Sequence, residues 1–411
     1  MDTFRSAQLE KSKQMNTMRL ALLVLAIAGQ LVNADYLDDQ RDLSAATSGF
    51  SQRLYQKVAL GLPSMVYSPY SIHSVLAMAS LGARGNTATE MKQALGITSL
   101  ADNTHEMYRQ LILDINSVTD VKINTGNAIF VNPAYKIVPQ FVADVESKYF
   151  AKAGNIDLSA PGGPEEPINT YVENATGNMI QNLLSKGSIN SDTVVILINT
   201  IFFNGTWTFP FPKNTTFRRP FYSLDRGIST VDMMNDNMTI KYKKDNSIGI
   251  EVVELPFNGE RFHFYIALPE EVNGITDLEK LLATPGKVDT LFSGLSSEYL
   301  DVSIPKFKTE TTLYLVQPLK DIGMVEAFSP GYADFTGIIR KGGVFISSVI
   351  HKAIIDVKET GTVAAAATSV VMSITSLKRP PEKRFVADHP FLYFIRDELT
   401  QQILFQGKFS G

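Results

Sequence analysis

The sequence predicts an α+β domain built on one large sheet, and three observations carry this. Helical spacing of apolar residues concentrates in the first half of the 411 residues, and strand patterns in the second. The two kinds interleave without a clean linker, so they read as one domain. Val194 to Phe203 is a strongly apolar run around Asn199 and must be a central strand with both faces covered.

Asp35 to Leu43 is acidic and reads as a loose segment. Ala45 to Leu62 puts Phe50, Leu54, Val58 and Leu62 on one helical side. Ser71 is a candidate cap for a helix from His73 to Leu81, which Gly82 stops; another helix runs from Thr87 to Leu95. Val121 to Val131 alternates as a strand. Pro139 to Phe150 reads as a helix, Pro161 to Pro167 as a loop, and Ile168 to Leu184 as an amphipathic helix. Thr239 to Tyr242, Ile248 to Pro256 and Phe262 to Leu268 fit hairpin strands. Ile275 to Leu282, Val288 to Leu291 and Leu313 to Ile322 read as helices. Leu300 to Phe307, Val344 to Lys358, Phe385 to Arg396 and Gln402 to Lys408 read as strands.

Arg5, Lys11, Lys13 and Arg19 precede the apolar run Leu20 to Ala28, and Val32-Asn33-Ala34 supplies small residues at signal-peptidase positions. Residues 1–34 therefore read as a signal peptide cut before Asp35, with Met15 or Met18 as alternative starts. The apolar core is too short to span a bilayer comfortably. Four sequons, at Asn174, Asn204, Asn214 and Asn237, agree with a secreted glycoprotein. The chain has no cysteine, hence no disulfide or thiol chemistry, and its core is large enough to do without staples. A net charge of −4 gives no reason to expect nucleic acid or an anionic membrane as partner.

Enzyme chemistry has no constellation to stand on. There is no G-x-S-x-G elbow and no phosphate loop. The five histidines are scattered, so neither a metal nor a cofactor is expected. Glu165-Glu166 and Glu270-Glu271 are adjacent loop residues and read as solvated surface. His351 precedes an apolar run and reads as structural. A buried histidine needs a partner, and the amide of Asn199 on another strand could supply one.

The organising stretch is Glu359 to Ser376, ETGTVAAAATSVVMSITS. Taken alone, its alanines favour a helix or a linker. At period two, one face instead carries Thr362, Ala364, Ala366, Thr368, Val370, Met372 and Ile374. Small residues lead large apolar ones and no charge interrupts them. Such a segment is a poor resident strand, yet it could slide between two existing strands. It reads as a loop in one state and a central strand in another.

These features together resemble the serpin family over residues 45–409. The matching stretches are Ser68-Pro-Tyr-Ser-Ile72, Asn127-Ala-Ile-Phe130, Asn199-Thr-Ile-Phe-Phe203 with Trp207, and Ile304-Pro-Lys-Phe307. Later come Val349-Ile-His-Lys-Ala353, Glu359-Thr-Gly-Thr362 and Asp388-His-Pro-Phe391. The resemblance implies three β-sheets, eight to nine helices and an exposed reactive-centre loop over about residues 359–384. A serine protease would attack that loop and be trapped as an acyl-enzyme when the loop inserts as a new strand. Loop insertion with release of stored strain is a known property of serpins, so the mechanism comes with the resemblance. Fourteen inserted residues would carry the protease roughly 45 Å.

The resemblance also implies residue roles. Glu359, Gly361, Thr362, Ala364 and Ala366 match the hinge; Val363 departs from the family's usual glutamate, on the face expected to stay outside. Trp207 and Lys306 match the breach, where the sheet opens. Ser68, Ser71, Asn199 and His351 match the shutter beneath it. Counting from Gly361 places the scissile bond at Thr375-Ser376, which would suit an elastase-like pocket. Leu377, Lys378 and Arg379 are alternatives for chymotrypsin-like or trypsin-like enzymes. Only Arg109 is basic from Ala101 to Ile115, so heparin is not an expected partner. A monomeric inhibitor is expected; a non-inhibitory carrier, storage or substrate-like serpin is the alternative.

Overall fold

The computed structural model describes residues 35–100, 103–190, 192–224, 227–362 and 380–411. The expected signal peptide lies outside them, as do Ala364, Ala366, Thr375, Ser376, Leu377, Lys378 and Arg379. Eight α-helices and fourteen β-strands occur among the described residues.

Five strands form the sheet that matters most: β2 (Val121–Val131), β3 (Lys152–Asn155), β4 (Val195–Gly205), β10 (Phe307–Tyr314) and β11 (Ile346–Val357). Their order is β10-β11-β4-β2-β3. β11 and β4 run parallel as direct neighbours, from Ile346↔Val195 to Ile354↔Phe202. Alternation along β4 explains its two apolar faces. Val195, Leu197, Ile201 and Phe203 face the main core, while Ile196, Ile198 and Phe202 face a smaller one. Helix α2 (Pro69–Ser80), wholly buried, packs on the first face. Helix α6 (Glu166–Ala175) supplies Ile168 and Val172 to the second.

The other strands form one nine-stranded network. In order they are β1 (Met65–Tyr67), β14 (Ile403–Phe409), β13 (Phe391–Asp397), β8 (Phe262–Pro269), β7 (Ile250–Pro256), β6 (Gly227–Asp245), β9 (Ser296–Pro305) and β12 (Lys383–Val386). The ninth, β5 (Phe217–Ser223), pairs with β6. The three sheets implied by the resemblance thus appear as two hydrogen-bonded networks. The cause is β6, which pairs β5 through residues 227–233, β9 through 233–242 and β7 through 241–245. One long strand serves two sheets and fuses them.

Several local expectations are corrected. Residues 35–58 are one helix, α1, so Asp35 to Leu43 is not loose. Leu43 is buried, and the Tyr36 hydroxyl donates to Asp114 Oδ2 at 2.9 Å, so packing outweighs the local charge. The cap of α2 is Ser68, whose hydroxyl accepts from the Ser71 amide; Ser71 lies inside the helix, where Pro69 fits the first turn. The helix expected to reach Leu184 stops at Ala175, because Gly177 and Asn178 take positive φ of 62° and 64°. Asn169 then holds the returning segment through both its amide atoms and Leu184. Residues 307–314 form β10, where Thr309, Thr311 and Thr312 favour an edge strand over the helix start expected at Leu313. Helix α4 (Thr104–Asn116) is an element the sequence reading does not include.

Arg261 ties distant parts of the chain together. It reaches Asp114 of α4 at 2.6 Å and Asp397 at the end of β13 at 2.7 Å. Asp397 is fully buried, so removing its cation leaves a costly charge. Arg261→Met is expected to lower stability by about 3–5 kcal/mol, read as a drop in thermal melting temperature; an unchanged melt would refute the assignment.

Candidate functional site

Two clusters sit along the β11–β4 cleft, one midway and one at its upper end. The middle cluster follows from register. His351 on β11, Asn199 on β4 and Asn127 on β2 are consecutive cross-strand partners, all aimed at α2. His351 Nδ1 lies 2.6 Å from Asn199 Oδ1, and the Ser68 amide donates to His351 Nε2 at 3.1 Å. Nε2 is therefore the acceptor, which puts the proton on Nδ1, where it donates to Asn199. Asn199 Nδ2 donates onward to Ser71 O at 2.9 Å, Ser71 Oγ at 2.6 Å and Asn127 Oδ1 at 2.6 Å. Ser68, Ser71, Asn199 and His351 are fully buried, so the structure brings together all four residues singled out from sequence. Asn127 lies in a matching motif but is not among the site residues that sequence singles out; its register opposite Asn199 is a tertiary fact.

At the upper end, the chain leaving β11 makes a tight turn. Lys358 and Gly361 exchange both backbone hydrogen bonds, at 2.8 and 3.1 Å. Gly361 also bridges Thr206 just beyond β4, so it touches both sides of the cleft. Its φ of 140° and the closeness of the Gly205 carbonyl, which a Cβ would strike, explain the glycine. Thr362 follows, fully buried. Its amide donates to Gly205 O at 2.8 Å, and its hydroxyl accepts from the Gly205 amide at 2.9 Å.

Trp207 roofs this turn. Its indole stacks on Phe257 at 4.5 Å, its Nε1 donates to Lys358 O at 2.9 Å, and its amide donates to Thr360 O at 3.0 Å. Glu359 lies beside it, paired with Lys306 at 3.1 Å and accepting from Thr216 Oγ1 at 3.0 Å. Burial opposes the Glu359 charge, but its own backbone amide, Lys306 and Thr216 outweigh burial and hold the carboxyl below its ordinary range. Thr216 and Phe257 are partners that sequence reasoning misses.

A family model described as Serpin (serine protease inhibitor) matches residues 45–411. The chain belongs to the serpin family. It is 34% identical over 381 residues to the leukocyte elastase inhibitor of Xenopus tropicalis, covering 90% of this chain and 99% of the relative. Serpin B3 of Homo sapiens is 31% identical over 388 residues, with the same coverage. Among solved structures, Serpin48 of the insect Tenebrio molitor superposes with a TM-score of 0.80 at 30% identity, covering 90% and 98% of the two chains. Uncleaved ovalbumin gives 0.80 at 25% identity, covering 90% and 99%.

In this serpin, Asn174, Asn214 and Asn237 are exposed, while Asn204 is half-buried near the top of β4. Among the described residues, no helix is long and apolar enough to cross a membrane, and no cluster of metal-ligating side chains occurs.

Burial pushes the His351 imidazole down to about 3, and His73 and His105 down to about 4. Unfolded, each takes up a proton as pH falls through about 6.5; folded, each resists until far lower. Their contribution is whole above about pH 6.5 and drains away as pH falls toward 3, by up to about 1.4 kcal/mol per pH unit each. Melting temperature should therefore fall between pH 6.5 and 4. His351→Asn should be less stable at neutral pH yet lose less over that interval, whereas an equal loss would contradict the assignment.

Proposed function

We propose that this serpin is a secreted suicide-substrate inhibitor of an elastase-like serine protease. It is cut at Thr375-Ser376, and the freed loop inserts between β11 and β4. The observation that carries the reading is Thr362. It sits fully buried at the top of the cleft, bonded to the last residue of β4. Gly361 beside it bridges Thr206 and Lys358, the residues that directly follow β4 and β11. The first rung of an inserted strand is in place while β11 and β4 are still paired below it.

In this reading Glu359, with Lys306 and Trp207, anchors the base of the loop while Gly361 turns it. Ser68, Ser71, Asn199 and His351 hold the middle of the sheet shut. Ala364 and Ala366 pass with little steric resistance; Val370, Met372 and Ile374 then bury about 1.5–3 kcal/mol each. About ten new ladder bonds add about 1 kcal/mol apiece. The protein acts as a monomer without a cofactor, and the exposed sequons carry glycans.

A panel of elastase-like, chymotrypsin-like and trypsin-like proteases, read on a denaturing gel, tests this directly. A complex that survives denaturation is expected with the elastase-like enzyme, with a released peptide beginning at Ser376 by mass spectrometry. A peptide beginning at Lys378 or Arg379 would move the bond. Cleavage without complex would favour the carrier or storage reading.

Thr362→Arg provides a second test. A charge forced into this buried position is uncompensated and costs several kcal/mol. Complex yield should fall by about tenfold or more, since each 1.4 kcal/mol is tenfold in partitioning. Cleavage of the loop should continue at its former rate. Undiminished complex formation would sink the role given to Thr362.

A further inference from the structure

A cavity of about 430 Å³ lies at the end of the five-stranded sheet opposite Thr362. Its size falls in the range of small-ligand sites, roughly 300–1,000 Å³. One wall is the connection after β2, with Lys136, Ile137 and Val138; the other is the segment before β11, with Ile339, Arg340 and Lys341. Ile137, Val138 and Ile339 make it apolar, and three cations surround it. None of those cations has an ion-pair partner among the described residues. Val138 and Arg340 also line a neighbouring cavity of about 240 Å³, where the one carboxylate, Asp144, is already paired with Lys148 at 3.2 Å. Helix α5 (Pro139–Tyr149) begins at the cavity with no acidic residue in its first turn, so its positive pole is uncompensated there.

We propose that this cavity binds a single-chain amphipathic anion, a fatty carboxylate, and that binding holds the sheet in its five-stranded state. An apolar floor with unpaired cations at the rim fits a hydrocarbon tail with an acidic head. The coupling follows from which strand carries each wall. The connection after β2 is fixed to β4, since the Asn132 amide donates to Val194 O at 2.8 Å and Asn132 Nδ2 donates to Thr193 O at 3.0 Å. The other wall leads into β11. The two meet across the cavity through the Val138 amide and Ile338 O, at 2.8 Å. Parting β11 from β4 therefore parts the walls, and a ligand touching both favours the closed sheet by its differential affinity. The coupling rests on the insertion reading; the binding does not.

The test is calorimetric titration of the full uncleaved protein with sodium dodecanoate below its micelle concentration, with dodecanol and sodium sulfate as separate arms. One-to-one binding of dodecanoate is expected, with dodecanol and sulfate weaker by about tenfold or more. The triple variant Lys136→Ala, Arg340→Ala, Lys341→Ala, checked for an unchanged melt, should lose about tenfold or more in affinity. Absent binding, equal binding of dodecanol or sulfate, or unchanged affinity in the triple variant would each overturn the site. Titration is then repeated on protein nicked within residues 363–379. Weaker binding together with a raised melting temperature supports the coupling. Equal binding with a raised melting temperature overturns it, and an unraised melt points to failure of the insertion reading instead.

Discussion

His351, Asn199 and Asn127 form a line of hydrogen-bonded side chains across three strands, buried under α2. In a water-excluded interior each of these groups must be paired, and a severed bond costs more than an intact one contributes. The line crosses the β11–β4 cleft through one contact, His351 Nδ1 to Asn199 Oδ1. Ser68 fixes the tautomer that makes this contact possible, and its hydroxyl also caps the helix that roofs it. Helix position, imidazole tautomer and strand pairing are thus set together. Anything that opens the sheet must give these atoms new partners.

The ends of the cleft are built differently. At the upper end, backbone groups of Gly205, Thr206 and Gly361 meet with little side-chain bulk between them. At the other, Ser347 bulges from β11; its hydroxyl accepts from the Val194 amide and donates to Val195 O. One end is joined through backbone groups, and the other is pinned by a side chain. This polarity sets a direction for any parting of the two strands.

Much of this is legible in sequence because period and burial agree. Val121–Val131 and Ile275–Leu282 appear as read: the helix buries Ile275, Leu278 and Leu282 at helical spacing, and the strand buries both faces over its last six residues. Asn199 stands out as a lone amide in an apolar run, which is how a buried polar partner announces itself. The differences arise mainly from tertiary context. Residues 35–43 are helical because Tyr36 and Leu43 find partners far along the chain. Helix α4 is the exception: Met107, Leu111 and Ile115 are buried at helical spacing, so its signal is present in the chain. Thr216 joins the site only because a three-residue helical turn brings it to Glu359, and no sequence rule marks it. The proposed scissile bond, Thr375-Ser376, lies outside the described residues and is placed only by counting from Gly361.

Trp207 is the chain's only tryptophan. It stacks on Phe257, is almost fully shielded from water and donates to the Lys358 carbonyl just past β11. The molecule's entire indole emission therefore originates at one spot, beside the turn that follows β11. An intrinsic optical signal, needing no label, reports on that spot alone.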